Sequence, residues 1–368
     1  MDSGSTTLEV DLGAILRNWK LLNQTHGNHD CAAVVKANAY GLGMEEIAAT
    51  LADAGCPHFF VATLDEAIEL REVLTSQFIY VLAGVQGGEV EGFLDYNIIP
   101  VLNSMPQFER WEAVAKDTKA AASVLHIDTG MNRLGISVDE AEKLAMEEER
   151  LHAAQIRFIM SHLACASHTD SEFNKQQLER FSHIRRCFPN LPASLSNSAG
   201  VFLGSNFHHD LARPGCALYG INPFTDRPNP VEPVVTLTAP ILQLRTTTAE
   251  SEPVGYGGDA TVPKGTRVAT VGIGYGDGLH RILSGSNLHG YIGEHAAPII
   301  GRISMDLITL DVTHIPRDAL SEGTSVELLN AKQDVNAMAD AAQTIGYEIL
   351  TSISPRVKRH YHGYGQSN

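Results

Sequence analysis

The chain has 368 residues, of which 43% are hydrophobic and 19% are charged, and its formal net charge is -16. That length and apolar content predict a large buried core, either in two domains or in one large α/β barrel with an appendage. Because the sequence is acidic and contains no long run of Lys or Arg, we expect neither nucleic acid nor an anionic membrane as a partner.

Cysteine usage and the start of the sequence bear on localisation. The five cysteines are widely spaced and form no C-x-x-C pair, which is typical of reduced thiols inside the cell. The opening MDSGSTTLEV has neither the basic nor the apolar region of a signal peptide, and no later stretch approaches eighteen uninterrupted apolar residues. We therefore expect a cytoplasmic protein.

Short apolar runs alternate with amphipathic segments over the first two-thirds of the sequence. The runs predict eight strands, at 33–36, 59–63, 79–82, 98–102, 123–128, 156–162 and 193–197, with a last one ending near Arg213. The segments predict helices such as 43–55, 64–74 and 173–188, preceded by a helix at 12–24 with Asp11 as its N-cap. Eight such units indicate an N-terminal (β/α)8 TIM-type barrel, with a doubly wound sheet as the alternative.

The pattern changes after a Pro- and Asn-rich stretch at 220–233, which reads as a linker. Strand-like runs separated by Gly and Pro follow it, with one short helix predicted at 334–346. We therefore predict two domains, a barrel at 1–230 and a mostly β domain at 231–368.

Polar residues fall at the predicted ends of five barrel strands, which in an α/β barrel face one common mouth. They are Lys36, Arg133, His162, Asn197 with Ser198, and Arg213. Each alone has an ordinary explanation: a lysine at the surface, a histidine in the core, an arginine paired with a carboxylate, an asparagine in a turn. Their convergence at one mouth indicates a functional site.

Two turns, NSAG at 197–200 and RPGCALYG at 213–220, follow the last two barrel strands. Barrel enzymes often bind phosphate there through backbone N–H groups, and the hydroxyl of Tyr40 is placed to add to such a site. A phosphate, a lysine suited to Schiff-base chemistry and an arginine together indicate pyridoxal 5'-phosphate (PLP). An arginine facing the pyridine nitrogen can only donate hydrogen bonds, which keeps that nitrogen unprotonated and disfavours a long-lived carbanion.

Eight motifs, in order from Ala33 to Asp306, resemble those of the PLP-dependent alanine racemases. They are AVVKANAYGLG, DTGMNRLG, SHLACA, SNSAG, RPGCALYG, VGYGG, IGYGDG and GRISMD. The resemblance implies a fold type III PLP enzyme, with a (β/α)8 barrel and a C-terminal β domain. It also implies a homodimer whose active sites lie at the subunit interface.

The resemblance assigns roles to individual residues. Lys36 would carry the cofactor and act as the base on the D-enantiomer, and Tyr256 of the partner subunit would be the base for L-alanine. Arg213 would face the pyridine nitrogen with support from His162, and Arg133 would bind cofactor and substrate. Two bases on opposite faces suit racemisation, because the α-proton leaves one face and returns to the other.

Further site residues follow from the same motifs. The cofactor-binding set also includes Tyr40, Asn197, Ser198, Gly215 and Cys216. The substrate-side set includes Met305, Asp306 and Tyr275 besides Arg133. Two positions depart from the family pattern: His126 stands where many members have a lysine, often carbamylated, that orients the arginine, and Pro355 stands where some members have a tyrosine that contacts the phosphate.

The expected activity is interconversion of L- and D-alanine, supplying D-alanine for peptidoglycan. Within PLP chemistry, the alternatives are a racemase that accepts serine or a broader set of amino acids and an amino-acid decarboxylase with the same barrel. A non-catalytic PLP carrier would not need the C-terminal domain or Tyr256. A metal-dependent hydrolase would draw on His162, His168 and the HHD segment at 208–210, but their spacing gives no compact ligand set, so we expect no metal.

Overall fold

The computed structural model, which describes residues 5–27, 29–116, 118 and 121–364, divides into two units of different architecture. The first unit is Ile15–Glu232. The second combines the residues up to Ala14 with those from Pro233 onwards. The start of the chain therefore belongs with the C-terminal unit, whereas the division proposed from the sequence kept it with the barrel.

The first unit alternates strands and helices. Together with β1 (Thr7–Asp11) of the second unit, its elements are α1 (Leu12–His26), β2 (Asp30–Cys31), β3 (Ala33–Val34), α2 (Lys36–Tyr40), α3 (Met44–Asp53), β4 (His58–Val61), α4 (Leu64–Val73), β5 (Phe78–Val81), α5 (Val90–Asp95), β6 (Ile99–Leu102), α6 (Met105–Ala115), β7 (Ser123–His126), α7 (Val138–Ala145), α8 (Glu148–Ala153), β8 (Ile156–Met160), α9 (Glu172–Cys187), β9 (Ala193–Ser194) and β10 (Leu211–Ala212). This order is that of a (β/α)8 barrel.

Strands β3 to β9 form a seven-stranded parallel sheet in chain order. The short strand β10 closes it. On one side, the N–H of Asp210 donates to the carbonyl of Ala193 at 2.9 Å; on the other, β10 pairs with β2, and the N–H of Val34 donates to the carbonyl of Pro214 at 3.0 Å. The barrel predicted from the sequence is confirmed, and the doubly wound alternative is wrong.

Local sequence signals set the ends of several helices. Asp11 accepts a hydrogen bond from the N–H of Ala14 at 2.9 Å, which confirms it as the N-cap of α1. Helices α4 and α7 each begin with a capping box, Thr63 with Glu66 and Ser137 with Glu140. Within the described ranges, no helix has the length and apolar content needed to cross a membrane.

The second unit is built on an antiparallel sheet. Its elements after the linker are β11 (Val235–Thr246), β12 (Ser251–Val254), β13 (Ala260–Pro263), β14 (Arg267–Val271), β15 (His289–Ile292), β16 (His295–Ile300), β17 (Ile308–Asp311), β18 (Ser325–Leu329), α10 (Val335–Ala341), α11 (Gly346–Ser352) and β19 (Lys358–His362). The mostly β domain is confirmed, with a second short helix, α11, that the sequence pattern does not predict.

Strand β1 lies inside the sheet of the second unit. The strand order is β14-β17-β16-β15-β18-β11-β1-β19, so β1 pairs antiparallel with β11 and parallel with β19. Leu8 and Val10 of β1 are fully buried, as expected for a strand with one face on a core. This pairing explains why the first residues belong with the C-terminal unit.

Candidate active site

Lys36 begins a tight turn after the first strand of the parallel sheet. Strand β3 ends at Val34, so the strand predicted at 33–36 is too long, and Lys36 lies beyond the ladder. The next residues, Ala37, Asn38, Ala39 and Tyr40, have φ angles of 53°, 54°, 51° and 58°. Four consecutive non-glycine residues in left-handed geometry cost roughly 1–2 kcal/mol each, so tertiary contacts must hold this left-handed turn.

The half-buried amine of Lys36 lies in a positive environment. Burial lowers the pKa of Lys36, the charge of Arg133 lowers it further, and the carboxylate of Glu66 opposes both. A lowered pKa increases the neutral fraction of the amine near pH 7, and only the neutral amine is a nucleophile or a base. Lys36 and Arg133, which the sequence analysis assigns to one barrel mouth, therefore interact electrostatically.

Arg213 is buried at the barrel mouth just after β10. Its guanidinium donates to the carbonyl oxygen of Ser161 at 2.6 Å and to the hydroxyl of Ser194. Burial lowers the pKa of Arg213 to about 9. No hydrogen bond joins Arg213 to His162 in the described part of the chain, so the support expected from His162 comes instead from two serines.

His162 lies just beyond β8 rather than within the strand predicted at 156–162. Burial, followed by the charges of Arg213 and Arg133, holds the pKa of His162 well below its usual range. His126 and Lys36 contribute in the same direction. His162 is therefore neutral near pH 7. The groups that act on its pKa, together with His162 itself, come from the ends of four strands, β3, β7, β8 and β10.

His126 is the last residue of β7. Its Nδ1 lies 2.7 Å from the side-chain oxygen of Asn103, and burial together with the charge of Arg213 lowers the pKa of His126 to about 4. His126 is consequently neutral, with Nδ1 as the hydrogen-bond donor. The backbone of the same Asn103 accepts the N–H of Gly135 at 3.1 Å, which ties the loop carrying Arg133 to the neighbouring strand.

Four predicted phosphate-binding residues meet on one side of the mouth. The hydroxyl of Ser198 accepts the N–H groups of Gly215 at 2.9 Å and Ala217 at 3.3 Å. Tyr40 lies against Gly215, where a Cβ atom would overlap its hydroxyl, and burial raises the pKa of Tyr40 so that it stays protonated. Cys216 follows in a short 3-10 turn, Cys216–Tyr219. Hydroxyls and backbone N–H groups in this arrangement fit a phosphate, and we call Tyr40, Ser198, Gly215 and Cys216 the phosphate cradle.

Asn197 shapes the adjoining turn. Its side-chain oxygen accepts the N–H of Gly200 at 3.0 Å, and its amide donates to the carbonyl of Leu163 at 3.3 Å. The first contact closes the turn within the loop after β9, and the second connects that loop to the loop after β8. In the described structure Asn197 therefore fixes loop geometry, while Ser198 contacts the backbone of Gly215 and Ala217.

The remaining predicted residues lie on the second unit. Tyr256 opens a 3-10 turn, Tyr256–Gly258, and is 70% exposed. Tyr275 and Met305 are held side by side, because the N–H of Tyr275 donates to the carbonyl of Ser304 at 3.0 Å and the N–H of Gly276 donates to that of Met305 at 2.8 Å. The structure thus brings Tyr275 and Met305 together on one surface.

Two residues near this surface and near the amine were not singled out in the sequence. Arg356 donates to Asp277 at 2.6 Å and to Asp306 at 2.8 Å, which joins the Tyr275 turn to the segment that carries Met305. Glu66 contacts the backbone beside Lys36. The T-x-x-E pattern at 63–66 is typical of a capping box and could have drawn attention to Glu66. No pattern in the segment SPRVKR indicates that Arg356 bridges two carboxylates.

Comparison with known proteins gives a consistent result. Residues 10–223 match the family model "Alanine racemase, N-terminal domain", and residues 234–361 match "Alanine racemase, C-terminal domain". The chain is 46% identical to an alanine racemase of Acidiphilium cryptum over 96% of this chain and 98% of that one. It is 42% identical to an alanine racemase of Rhodospirillum rubrum over 98% and 97% of the two chains.

A solved structure extends this likeness to the fold. The alanine racemase of Bartonella henselae, with covalently bound pyridoxal phosphate, superposes with a TM-score of 0.91 at 38% identity and covers 98% of this chain and 100% of its own. Both domains are therefore matched in sequence and in fold. The chain belongs to the PLP-dependent alanine racemase family.

Proposed function

We propose that this protein interconverts L- and D-alanine with PLP as its cofactor. Membership of the family makes it an isomerase and makes PLP its cofactor. The observation that carries the proposal is that Lys36, whose own pKa is lowered, and Arg213 both lower the pKa of His162, and that Gly215, two residues after Arg213, donates its N–H to Ser198. Few chemistries use a reactive amine, a buried arginine and a phosphate site together.

The chain's own residues fit the cofactor. Lys36 would hold it through its amine, while Tyr40, Ser198 and the N–H groups of Gly215 and Cys216 would hold the phosphate. When bound, PLP supplies an electron-withdrawing ring that stabilises negative charge at the substrate α-carbon.

Two arginines and a histidine would complete the site around the ring. Arg213, which can only donate hydrogen bonds, would leave the ring nitrogen as an acceptor. His162 would pack beside Arg213 at the mouth, and Arg133 would bind the substrate carboxylate.

Proton transfer would use two groups on opposite faces of the α-carbon. For D-alanine, the Nζ of Lys36 accepts the α-proton and the hydroxyl of Tyr256 donates one from the other face; for L-alanine the two roles reverse. In each direction one group gains a proton and the other loses one, so solvent exchange must reset both. The exposure of Tyr256 supports its reaching the site of a second copy in a homodimer.

The substrate side supports a small amino acid. Tyr275, Met305 and Asp306 lie on one surface of the second unit and would enclose the side chain of alanine from the partner subunit. Serine differs from alanine by one hydroxyl, and a hydrophobic pocket rejects such a substrate only weakly, so we expect slower turnover of serine.

The test is an enantiomer-exchange assay with added PLP on alanine, serine and longer amino acids. We expect exchange of alanine and its loss in Lys36→Ala. Retained exchange in that variant, or release of carbon dioxide in place of exchange, would overturn the proposal. A biosynthetic role in the cytoplasm, with D-alanine supplied to peptidoglycan, requires that the gene restore growth to a bacterium that depends on added D-alanine.

A further inference from the structure

Glu66 makes two kinds of contact with one carboxylate. One oxygen accepts the N–H of Ala37 at 2.6 Å, and the other accepts the N–H of Ala62 at 2.7 Å and that of Thr63 at 3.3 Å. Ala37 is the residue immediately after Lys36, whereas Ala62 and Thr63 follow the next strand, β4. A single half-buried side chain therefore joins the start of the left-handed turn to the neighbouring strand.

A helix cap alone does not explain this arrangement. The chain contains a second capping box, at the same position of α7. Among the described residues the carboxylate of Glu140 accepts hydrogen bonds only from Ser137, from its N–H and its hydroxyl at 2.8 Å each. One oxygen is enough for that cap. The other oxygen of Glu66, by contrast, crosses to a different βα loop.

The hydrogen bond from the N–H of Ala37 to Glu66 holds the first residue of the left-handed turn. The N–H of Ala37 fixes the peptide plane between Lys36 and Ala37, and with it the direction in which the Lys36 side chain leaves the backbone. Because residues 37–40 lie in an unfavourable backbone region, each must be held by its surroundings, and Glu66 supplies a charge-assisted hydrogen bond at 2.6 Å.

We propose that Glu66 is the positioning residue of Lys36: its carboxylate clamps the Ala37 N–H, aims the amine at the reacting centre and sets the electrostatic environment of that amine. This inference rests on the proposed function only in that Lys36 takes part in the reaction. The clamp itself is a property of the protein without cofactor. The negative charge of Glu66 also favours the protonated form of the Lys36 amine. Removing that charge should therefore lower the pKa of Lys36.

The experiment compares Glu66→Ala, Glu66→Gln and the matched control Glu140→Ala. The first readout is the rate at which an amine-specific acylating reagent modifies Lys36 in the cofactor-free protein, measured by peptide mass spectrometry across pH. We expect the half-maximal rate of both Glu66 variants at lower pH than in wild type, and no change in Glu140→Ala. An unchanged profile in Glu66→Gln overturns the proposal.

The second readout uses the PLP-loaded protein. A misplaced amine should lower kcat for alanine exchange by roughly tenfold to a hundredfold in Glu66→Ala with little change in KM. We expect Glu66→Gln, whose amide oxygen still accepts one N–H, to recover part of that loss. Equal kcat values in Glu66→Ala and Glu140→Ala would show that only the cap matters and would refute the clamp.

The two proposals fail in different ways. If wild type loaded with PLP exchanges no amino acid, the proposed function fails, while the acylation profile still decides the role of Glu66. If Glu66→Ala does not fold, Glu66→Gln decides it, because that variant keeps a hydrogen-bond acceptor at the cap.

Discussion

The hydroxyl of Tyr40 lies against Gly215 so closely that a Cβ atom at residue 215 would overlap it. Gly215→Ala should therefore displace the Tyr40 ring and widen the phosphate cradle. We expect weaker PLP binding and a loss of about 1–3 kcal/mol in the free energy of unfolding, as is usual for overpacked interiors. Titration of PLP absorbance and urea denaturation measure the two effects.

Gly87→Ala is the control for that prediction. An added Cβ at Gly87 meets no atom within 4 Å, and its φ is not in the left-handed region. We expect this variant to bind PLP like wild type. If Gly215→Ala also bound PLP like wild type, Tyr40 and Gly215 would not form the phosphate site.

Arg356 should hold the substrate-side surface together. It bridges Asp277, whose side chain is 8% exposed, and Asp306, so Arg356→Ala leaves the buried carboxylate of Asp277 without its charged partner, although the N–H of Gly274 still donates to it. We expect a lower Tm and a raised KM for alanine, because Tyr275 and Met305 lose their shared anchor. Thermal denaturation and steady-state kinetics are the measurements.

Lys332→Ala serves as the comparison for Arg356→Ala. Lys332 pairs with Glu294 on the surface of the same unit, and both side chains are exposed. Surface pairs contribute little to stability, so Tm and KM should stay near their wild-type values. Equal effects of the two substitutions would argue against an anchoring role of Arg356.

The buried His26 should make stability depend on pH. Neither of its ring nitrogens has a hydrogen-bond partner among the described residues, and burial, followed by the neighbouring His208 and His29, lowers the pKa of His26 to about 4. An unfolded histidine titrates near 6.5, so between about pH 6.5 and pH 4 the unfolded chain binds the extra proton. The free energy of unfolding should fall as pH drops through this window.

Substitution isolates that contribution. His26→Gln removes the titrating ring and should flatten the pH dependence of the urea midpoint, whereas His152→Gln, at an exposed position, should leave the slope unchanged. If the urea midpoint of His26→Gln depends on pH as steeply as that of wild type, other groups cause the acid sensitivity. His209, whose pKa is also lowered to about 4, is then the next residue to substitute.

Mixing subunits tests whether Lys36 and Tyr256 act across a dimer. Lys36→Ala and Tyr256→Phe are each expected to lose most exchange activity, and mixed dimers should regain some, because one of their two sites then carries both native residues. Activity of the mixture is compared with that of each variant alone. Proven mixed dimers without recovery would place both bases in one chain.

Tyr256→Phe should also separate the two enantiomers. Tyrosine removes the α-proton of L-alanine in the proposed scheme, so exchange of that proton with deuterated solvent should slow more for L-alanine than for D-alanine. Nuclear magnetic resonance follows the exchange directly. Equal rates for both enantiomers would contradict a two-base mechanism.

The sequence predicted the barrel and much of its mouth because both depend on periodic signals. Apolar runs alternating with amphipathic segments indicate strands and helices, and strand ends place polar residues such as Lys36 and Arg213 at one edge. The limits of strands were less accurate. Lys36 and His162 lie beyond their strands, because the ladder ends where loop contacts begin, and no pattern in the apolar run marks that point.

Other features depend on contacts that a linear reading does not reveal. Asn38 and Tyr40 adopt left-handed geometry in a segment without glycine, which only tertiary support explains. Likewise, Ser194 at the end of β9 and Ser161, just beyond β8, both hold Arg213. The placement of β1 in the C-terminal sheet is of the same kind, since strand partners far apart in sequence leave no local signal.

Pairing of β1 with β19 has a consequence for biosynthesis. Thr7 lies opposite Lys358, so the two strands leave the ribosome roughly 350 residues apart, which at 5–20 residues per second is about 20–70 s. In the described sheet β1 is the only partner of β19. Strand β19 therefore joins the sheet only through β1, and until β19 is made one edge of β1 stays open to other strands, including those of a neighbouring nascent chain.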